Sequence, residues 1–150
     1  PILVVDEPTT GLDVEARASF RELMQSLAKD RIIIISTHIA SDVESTASRI
    51  LLLVRGHLRW DGTPDALIAA ARGRVFETTV SDPDARTLSR AYRVTKRVRT
   101  QQGIRLRGVA RAEEDLPGAS LEPTLEEAYL ALASEGQIRL GSFSFLADAR

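Results

Sequence analysis

The chain has 150 residues, of which 43% are hydrophobic and 27% charged, a composition typical of a globular protein that can bury a core. A formal net charge of −1 gives no bulk electrostatic reason to expect nucleic acid or an anionic membrane as the main partner. The absence of cysteine excludes disulfides and thiolate metal sites, and the longest apolar runs, residues 32–35 and 50–54, are far shorter than the roughly 20 residues that span a bilayer. We therefore expect no transmembrane segment. Because the chain begins at a proline that directly precedes an apolar run, we expect it to be part of a longer protein.

The first part of the chain has the pattern of a strand, a helix and a second strand. Residues 2–5 form an apolar run without polar alternation, as expected of a strand buried on both faces of a parallel sheet. Asp13 is placed to cap a helix that ends at residue 27 or 28. A second apolar run, residues 32–35, follows. The apolar stripe predicted for the helix consists of Val14, Phe20, Leu23, Met24 and Leu27.

Polar residues follow both predicted strands. In a strand, helix and strand unit the residues after each strand lie at one edge of the sheet. We therefore expect Asp6, Glu7 and His38 to be neighbours.

The next segment predicts a short helix, a hairpin and a second helix. Ser41 and Glu44 have the spacing of a capping box for the short helix. Gly56 separates two strands, and the Thr-Pro pair at 63–64 is a helix start, with that helix ending near Gly73. The predicted strands are residues 49–54 and 57–60, and the predicted helix is 64–71.

Beyond Gly73 the pattern predicts a small α+β appendage. A hairpin turns across Gln102 and Gly103, and Thr124 with Glu127 has the spacing that caps a last helix. Residues 116–123 are predicted to be a loop, and residues 136–150 fit no template. The predicted strands are residues 74–80, 93–100 and 104–111, with a helix over 83–91.

Asp6 and Glu7 are adjacent carboxylates at the end of a predicted buried strand. Such a pair is costly at the edge of an apolar sheet unless a cation is supplied, and nucleotide-bound Mg²⁺ is one such cation. In phosphoryl-transfer sites an acid at a strand end holds the metal while a second polar group orients the attacking water. Because side chains alternate along an extended chain, we expect Asp6 and Glu7 to point in different directions and to divide these tasks.

These residues resemble motifs of the ATP-binding cassette (ABC) ATPases. Residues 2–13, with the string Asp6-Glu7-Pro8-Thr9-Thr10-Gly11-Leu12-Asp13, look like the Walker B motif and D-loop of that family. Ser36-Thr37-His38 looks like its switch histidine, and residues 49–64 resemble the stretch that follows it. The resemblance implies that Asp6 binds Mg²⁺, that Glu7 is the catalytic base or water-orienting group, that Asp13 reaches across a dimer interface, and that His38 contacts the γ-phosphate. ATP and Mg²⁺ are the implied cofactors.

The resemblance also implies an α/β fold and a division of the chain. Residues 1–73 would form the C-terminal half of a P-loop NTPase core, a parallel sheet with flanking helices. Residues 74–135 would form a small α+β accessory domain, and residues 136–150 a tail whose order is left open.

A second, less specific likeness concerns the implied partners. Residues 122–132 are similar to the C-terminal helix of ABC subunits that work with separate permeases in export. The implied protein is an ATP-binding and ATP-hydrolysing subunit of a transporter, paired with a second ABC ATPase subunit as a homodimer. It would be a cytoplasmic protein, attached to the inner face of the cell membrane by binding to a transmembrane permease. The transported substrate and the permease are left open.

Two motifs of the family are absent from the sequence. A Walker A loop requires Gly, four residues, Gly, Lys and then Ser or Thr, and no such string occurs. The Leu-Ser-Gly-Gly string is also absent. Both precede Walker B in the family, so we expect a C-terminal fragment that is inactive alone.

Other interpretations remain open at this point. One is a non-catalytic dimerisation or docking module, and another is a soluble ABC ATPase that is not linked to transport. Residues 86–111 contain nine Lys or Arg and no acid, which could mark a surface for nucleic acid or lipid headgroups, or a contact with a permease or regulatory partner. Alternation of apolar and basic residues there favours a solvated strand face, so nucleic acid is not the expected partner. His57 is predicted to be an exposed strand residue outside the site.

Overall fold

The computed structural model describes residues 1–111 and 116–133. The chain divides into two compact units, the first covering residues 1–50 and the second the residues from 51 onward. Together they form a mixed α/β protein with small parallel and antiparallel sheets. The predicted tail, residues 136–150, lies outside the described residues, and the predicted boundary at Gly73 stays a prediction. In the described part of the chain, no helix has the length and apolar character needed to cross a membrane.

The first unit contains the predicted strand, helix and strand. Strand β1 (Ile2–Asp6) pairs in parallel with β2 (Ile32–Ser36), so that Asp6 lies opposite Ser36. Helix α1 (Val14–Leu27) connects them, and the side chain of its cap residue Asp13 accepts a hydrogen bond from the backbone N–H of Ala16 at 2.8 Å. The parallel pairing and the cap confirm the sequence prediction. A short helix, α2 (Ala40–Thr46), follows β2.

The prediction that the first strand is buried on both faces is wrong for the described residues. Ile2 and Val4 are each 67% exposed and Ile32 is 63% exposed, whereas the alternate side chains of β1 and β2 are half-buried. Helix α1 departs from its predicted stripe in the same way, because Met24 is buried while Val14 is exposed. The alternation of exposed and half-buried side chains along both strands means that one face of this two-stranded sheet is open to solvent.

The predicted capping box of the short helix is also wrong. Helix α2 begins at Ala40, its cap residue is Ile39 without a side-chain cap, and Ser41 lies inside the first turn. The backbone N–H of Ile39 donates instead to the hydroxyl of Thr37 at 3.1 Å. Asp42 lies in the first turn of this helix and is buried.

The second unit begins with a hairpin and continues into an antiparallel sheet. Strands β3 (Ile50–Val54) and β4 (His57–Gly62) pair with each other, and helix α3 (Pro64–Ala70) follows. A second sheet has the strand order β6, β7, β5 and β8, and all its pairings are antiparallel. The remaining elements are β5 (Val75–Val80), α4 (Asp82–Ala91), β6 (Arg93–Thr100), β7 (Gly103–Val109), β8 (Ala119–Ser120) and α5 (Leu125–Ala133). The predicted elements are thus present, but β8 lies within a segment predicted to be a loop.

The caps of helices α3 and α5 are at the residues predicted from the sequence. The hydroxyl of Thr63 accepts from the backbone N–H of Ala66 at 3.2 Å. At the start of α5 the backbone N–H of Thr124 donates to the Glu127 carboxylate at 2.9 Å, and the Glu127 N–H donates back to the Thr124 hydroxyl at 3.2 Å. This reciprocal pair is the capping box predicted from the spacing.

Helix packing and an aromatic pair build the core of the second unit. Helix α4 packs on β6 and β7 through buried Ala85, Ile104 and Leu106. Helix α5 packs against α3 and β7. The rings of Phe76 and Tyr92 meet edge to face, with their centroids 5.0 Å apart. These contacts make the second unit a packed α+β unit.

A largely buried ion pair joins α5 to the sheet. Arg107 on β7 donates to both carboxylate oxygens of Glu127, at 2.6 and 2.7 Å, and Glu127 also accepts from Thr95 and Thr124. Burial alone raises the pKa of Glu127, but the hydrogen bonds from Arg107, Thr124 and Thr95 and the Arg107 charge together hold this pKa below its ordinary value. The hydrogen bond to Glu127 raises the pKa of Arg107 in turn. Both groups are therefore charged in the folded unit at neutral pH.

Candidate functional site

Glu7 and His38 contact each other at the edge of the parallel sheet. The Glu7 Oε1 atom lies 2.8 Å from Nδ1 of His38, and Glu7 Oε2 accepts a hydrogen bond from the Thr10 hydroxyl at 3.3 Å. The backbone N–H of Glu7 donates to the Ser36 carbonyl at 2.9 Å, which continues the pairing of the two strands by one residue. The predicted proximity of Glu7 and His38 is thereby confirmed.

The backbone of Glu7 is in an unusual conformation. Its φ of 44° lies in the left-handed region, which a residue other than glycine rarely adopts. Such a conformation costs of order 1–3 kcal/mol and persists only where its surroundings enforce it. Glu7 is therefore not part of an extended strand, and the reason predicted for the divergence of the two carboxylates is wrong. They do reach different partners, because the chain turns sharply after Asp6.

Asp6 is the last residue of β1 and is exposed. Its Oδ1 atom accepts a hydrogen bond from the hydroxyl of Ser36, the residue opposite it in the sheet. Ser36 precedes His38 by two positions, so Asp6 and the Glu7–His38 pair lie at the same sheet edge. The described residues contain no cluster of three or more His, Cys, Asp or Glu that could hold a metal without further ligands.

The pair is open to solvent. The side chain of His38 is 75% exposed and that of Glu7 is 37% exposed. This arrangement leaves the imidazole and the carboxylate accessible to a bound molecule. A cavity of about 600 Å³ in the second unit, lined by residues that include Arg90, Tyr92 and Arg93, contains none of the predicted site residues.

Asp13 lies at the other end of the loop that begins with Glu7. The loop contains two turns, with backbone hydrogen bonds from Thr10 to Glu7 and from Leu12 to Thr9, each 3.1 Å. Gly11 has a φ of 80°, which suits glycine at this point. In the described part of the chain the Asp13 carboxylate caps α1 and is not hydrogen-bonded to Glu7 or His38. Its expected role at a dimer interface stays a prediction.

Sequence reasoning assigned no individual role to four residues around the site. Ser36 and Thr10 bond the two carboxylates directly, and a second layer is formed by buried Thr9 and Asp42. Polar residues in the loop after Glu7 gave a signal for the threonines. Nothing in the spacing identified Asp42, because its partner lies 33 positions away in the sequence.

Known proteins similar to the chain include bacterial export proteins and a mammalian relative. No protein-family model matches the chain. It is 32% identical over 141 residues to the Nod factor export ATP-binding protein I of Rhizobium leguminosarum bv. viciae, covering 87% of this chain and 45% of the relative. The protein of the same name from Burkholderia orbicola is 40% identical over 86 residues, covering 56% of this chain and 28% of the relative. ATP-binding cassette sub-family A member 17 of Rattus norvegicus is 30% identical over 82 residues, covering 55% of this chain and 5% of the relative.

The chain spans less than half the length of each of these relatives. The longest of the three matches includes most of both structural units. Over the matched part of its length, the chain is a homologue of ABC transporter ATP-binding proteins.

Proposed function

We propose that the chain is the C-terminal part of an ATP-binding and ATP-hydrolysing subunit of an ABC exporter, with Glu7 and His38 at its catalytic centre. The observation that carries the proposal is the 2.8 Å contact between Glu7 Oε1 and His38 Nδ1 at an exposed sheet edge. A carboxylate and an imidazole held in contact and open to solvent can orient a water molecule and a phosphate oxygen together. The two bacterial relatives are named as export ATP-binding proteins, which agrees with this proposal.

In the proposed protein, residues 1–73 complete a P-loop NTPase core. The parallel pairing of β1 with β2 supports this assignment, and so does the homology to ABC transporter ATP-binding proteins. Residues 74–135 are proposed as an accessory domain, with residues 136–150 as a tail. The antiparallel sheet that begins with β5 supports the placement of that domain.

Asp6 is the proposed Mg²⁺ ligand. Its exposed carboxylate is a hard oxygen donor, which suits magnesium, and Mg²⁺ in nucleotide sites takes one or two carboxylates and completes its shell with phosphate and water oxygens. The lack of a larger acidic cluster among the described residues is compatible with that mode of binding. Bound Mg²⁺ would neutralise charge on the phosphates. Ser36, which donates to Asp6, would orient the carboxylate.

Glu7 is the proposed base or water-orienting group, and His38 the group that contacts the γ-phosphate. The ionised carboxylate accepts hydrogen bonds only, so a neutral His38 facing it through Nδ1 carries its proton on that nitrogen. The other ring nitrogen then points its lone pair away from Glu7, and on protonation it becomes a donor for a phosphate oxygen. Thr10 holds the second carboxylate oxygen of Glu7.

The proposed partners follow from the family. Asp13 would contact a second ABC ATPase subunit, in a homodimer that encloses ATP, while its cap on α1 holds the end of the loop in place. A transmembrane permease would hold the dimer on the inner, cytoplasmic face of the cell membrane.

A chimeric protein tests this function. The matched segment of the Rhizobium leguminosarum relative is replaced by this chain, and the ATPase activity of the chimera is measured beside that of the unchanged relative. We expect Mg²⁺-dependent hydrolysis by both. A chimera that folds and binds ATP but does not hydrolyse it contradicts the catalytic proposal and favours a docking module.

A further inference from the structure

Thr9 and Asp42 form a buried polar contact between the two segments that follow Glu7 and His38. The Thr9 hydroxyl donates to Asp42 Oδ2 at 2.5 Å, and the two residues are only 1% and 7% exposed. Neither side chain is accessible to a bound molecule. Any role of the contact in the site is therefore exerted through the residues that it holds.

Each residue of this contact follows one member of the Glu7–His38 pair within four positions in the sequence. Thr9 follows Glu7 by two positions, in the turn that the Thr10 N–H closes on the Glu7 carbonyl. Asp42 lies in the first turn of α2, which begins two positions after His38. The contact thus ties the loop that carries Glu7 to the helix start that follows His38.

The chemistry of the contact is poorly suited to stabilising the fold. Burying a carboxylate is costly, and Asp42 Oδ1 has no hydrogen-bond partner among the described residues. A buried polar group that is only partly satisfied contributes little net stability, but it can select one geometry over its alternatives. The left-handed backbone of Glu7 requires such a constraint from its surroundings.

We propose that Thr9 and Asp42 are positioning residues that hold Glu7 and His38 in contact. The consequence for catalysis rests on the proposed function, whereas the geometric effect does not. Losing the contact releases the loop from α2, so Glu7 and His38 no longer meet. The orientation of His38 is therefore the quantity to measure.

The first experiment uses the 150-residue chain with ¹⁵N-labelled histidine. The sequence has two histidines, so His57 on β4 is an internal reference for His38. In spectra recorded where both imidazoles are neutral, NMR should show that His38 carries its proton on Nδ1. In the Thr9→Val chain we expect His38 to lose its preference for the Nδ1 proton, while the His57 signals stay unchanged. In the Thr9→Ser chain, which retains a hydroxyl, His38 should keep that preference.

A matched control and a fold-retaining variant complete this experiment. Thr46 lies in the same helix, and its hydroxyl donates to the backbone carbonyl of Asp42. Thr46→Val removes this hydroxyl and should leave the His38 signals unchanged. If Thr9→Val does not fold, the double variant T9V/D42L replaces both partners with apolar groups, a change that can be nearly neutral for stability. His38 signals that are unchanged in the folded T9V/D42L chain overturn the proposal.

The second experiment uses the chimera described above. We expect T9V/D42L to lower kcat roughly a hundredfold with little change in KM, because misplaced catalytic groups slow the chemical step more than they weaken binding. If Glu7→Gln leaves turnover intact, the proposed function fails, and the His38 spectrum still decides the positioning role. If Glu7→Gln abolishes turnover but T9V/D42L changes neither kcat nor the His38 spectrum, the positioning proposal alone is overturned.

Discussion

The carboxylate of Glu7 and the imidazole of His38 are 2.8 Å apart although the residues are 31 positions apart in the sequence. The parallel register of the sheet brings them together, since Asp6 lies opposite Ser36 and both chains leave the sheet at the same edge. A change of register by one residue would move these side chains apart. The contact therefore depends on the fold of the first unit as well as on the two residues themselves.

Glu7→Gln is expected to abolish turnover while leaving nucleotide binding nearly intact. The amide retains the size and the acceptor oxygen of the side chain but loses the charge that activates or orients water. In the chimera we expect kcat to fall at least roughly a hundredfold with a similar ATP dissociation constant. Glu22→Gln, an exposed substitution on α1, is the control and should retain full activity. Turnover that survives in the Glu7→Gln protein contradicts the assignment.

His38→Ala is expected to reduce turnover similarly, because the imidazole is the proposed contact for the γ-phosphate. His57→Ala is the matched control, since His57 is exposed on β4, as predicted from the sequence. Steady-state ATPase assays of the two chimeric variants give the comparison. Equal activity of the two variants would remove His38 from the proposed site.

The 150-residue chain is expected to show no saturable ATP binding at millimolar nucleotide. It lacks the glycine-rich loop and lysine that bind the β- and γ-phosphates. In the exposed Glu7–His38 pair, the imidazole is the one group that could bind a phosphate oxygen. Isothermal titration calorimetry with Mg²⁺ and ATP measures this directly, with the chimera as the positive control. A clear binding isotherm from the chain alone means that it contains a nucleotide site of another kind.

Glu127→Gln is expected to destabilise the second unit and to weaken its acid sensitivity. The pKa of Glu127 is lowered on folding, so its charge contributes stability that is present above the unfolded pKa of about 4.3 and is lost as the pH falls through the folded pKa. Removing one partner of a buried pair costs about 3 kcal/mol, and Glu127 is only 5% exposed. Urea unfolding at neutral and acidic pH tests this, with exposed Glu126→Gln as the control. The same pH dependence in both variants would rule out this contribution.

Arg55→Asn is expected to stabilise the β3–β4 hairpin. Arg55 and Gly56 connect the two strands with φ values of 51° and 77°, and two-residue loops with positive φ at both positions favour Asn-Gly. The gain should be about 0.5 kcal/mol, since asparagine tolerates the left-handed region better than arginine. Thermal unfolding of the two chains measures the difference. A loss of stability would show that the Arg55 side chain makes a compensating contribution.

Local sequence patterns were sufficient to predict most elements of this protein. The apolar runs gave the strands, and the caps at Asp13, Thr63 and Thr124 marked three helix starts within a residue of their observed positions. These features depend on interactions between residues that are close in the sequence, so the pattern contains the necessary information. The Glu7–His38 proximity was predicted from a topological rule instead, because the carboxyl ends of parallel strands in a strand, helix and strand unit lie at one edge of the sheet.

Features that depend on distant partners could not be predicted in this way. The left-handed backbone of Glu7, the contact of Thr9 with Asp42 and the exposure of Ile2 and Val4 arise from how separate segments meet. The register of β1 with β2 brings the two loops together, and burial then selects which polar groups pair. The sequence was therefore enough to predict Glu7 and His38 as neighbours, whereas Asp42 and the contacts around the pair depend on the folding of segments more than 30 positions apart.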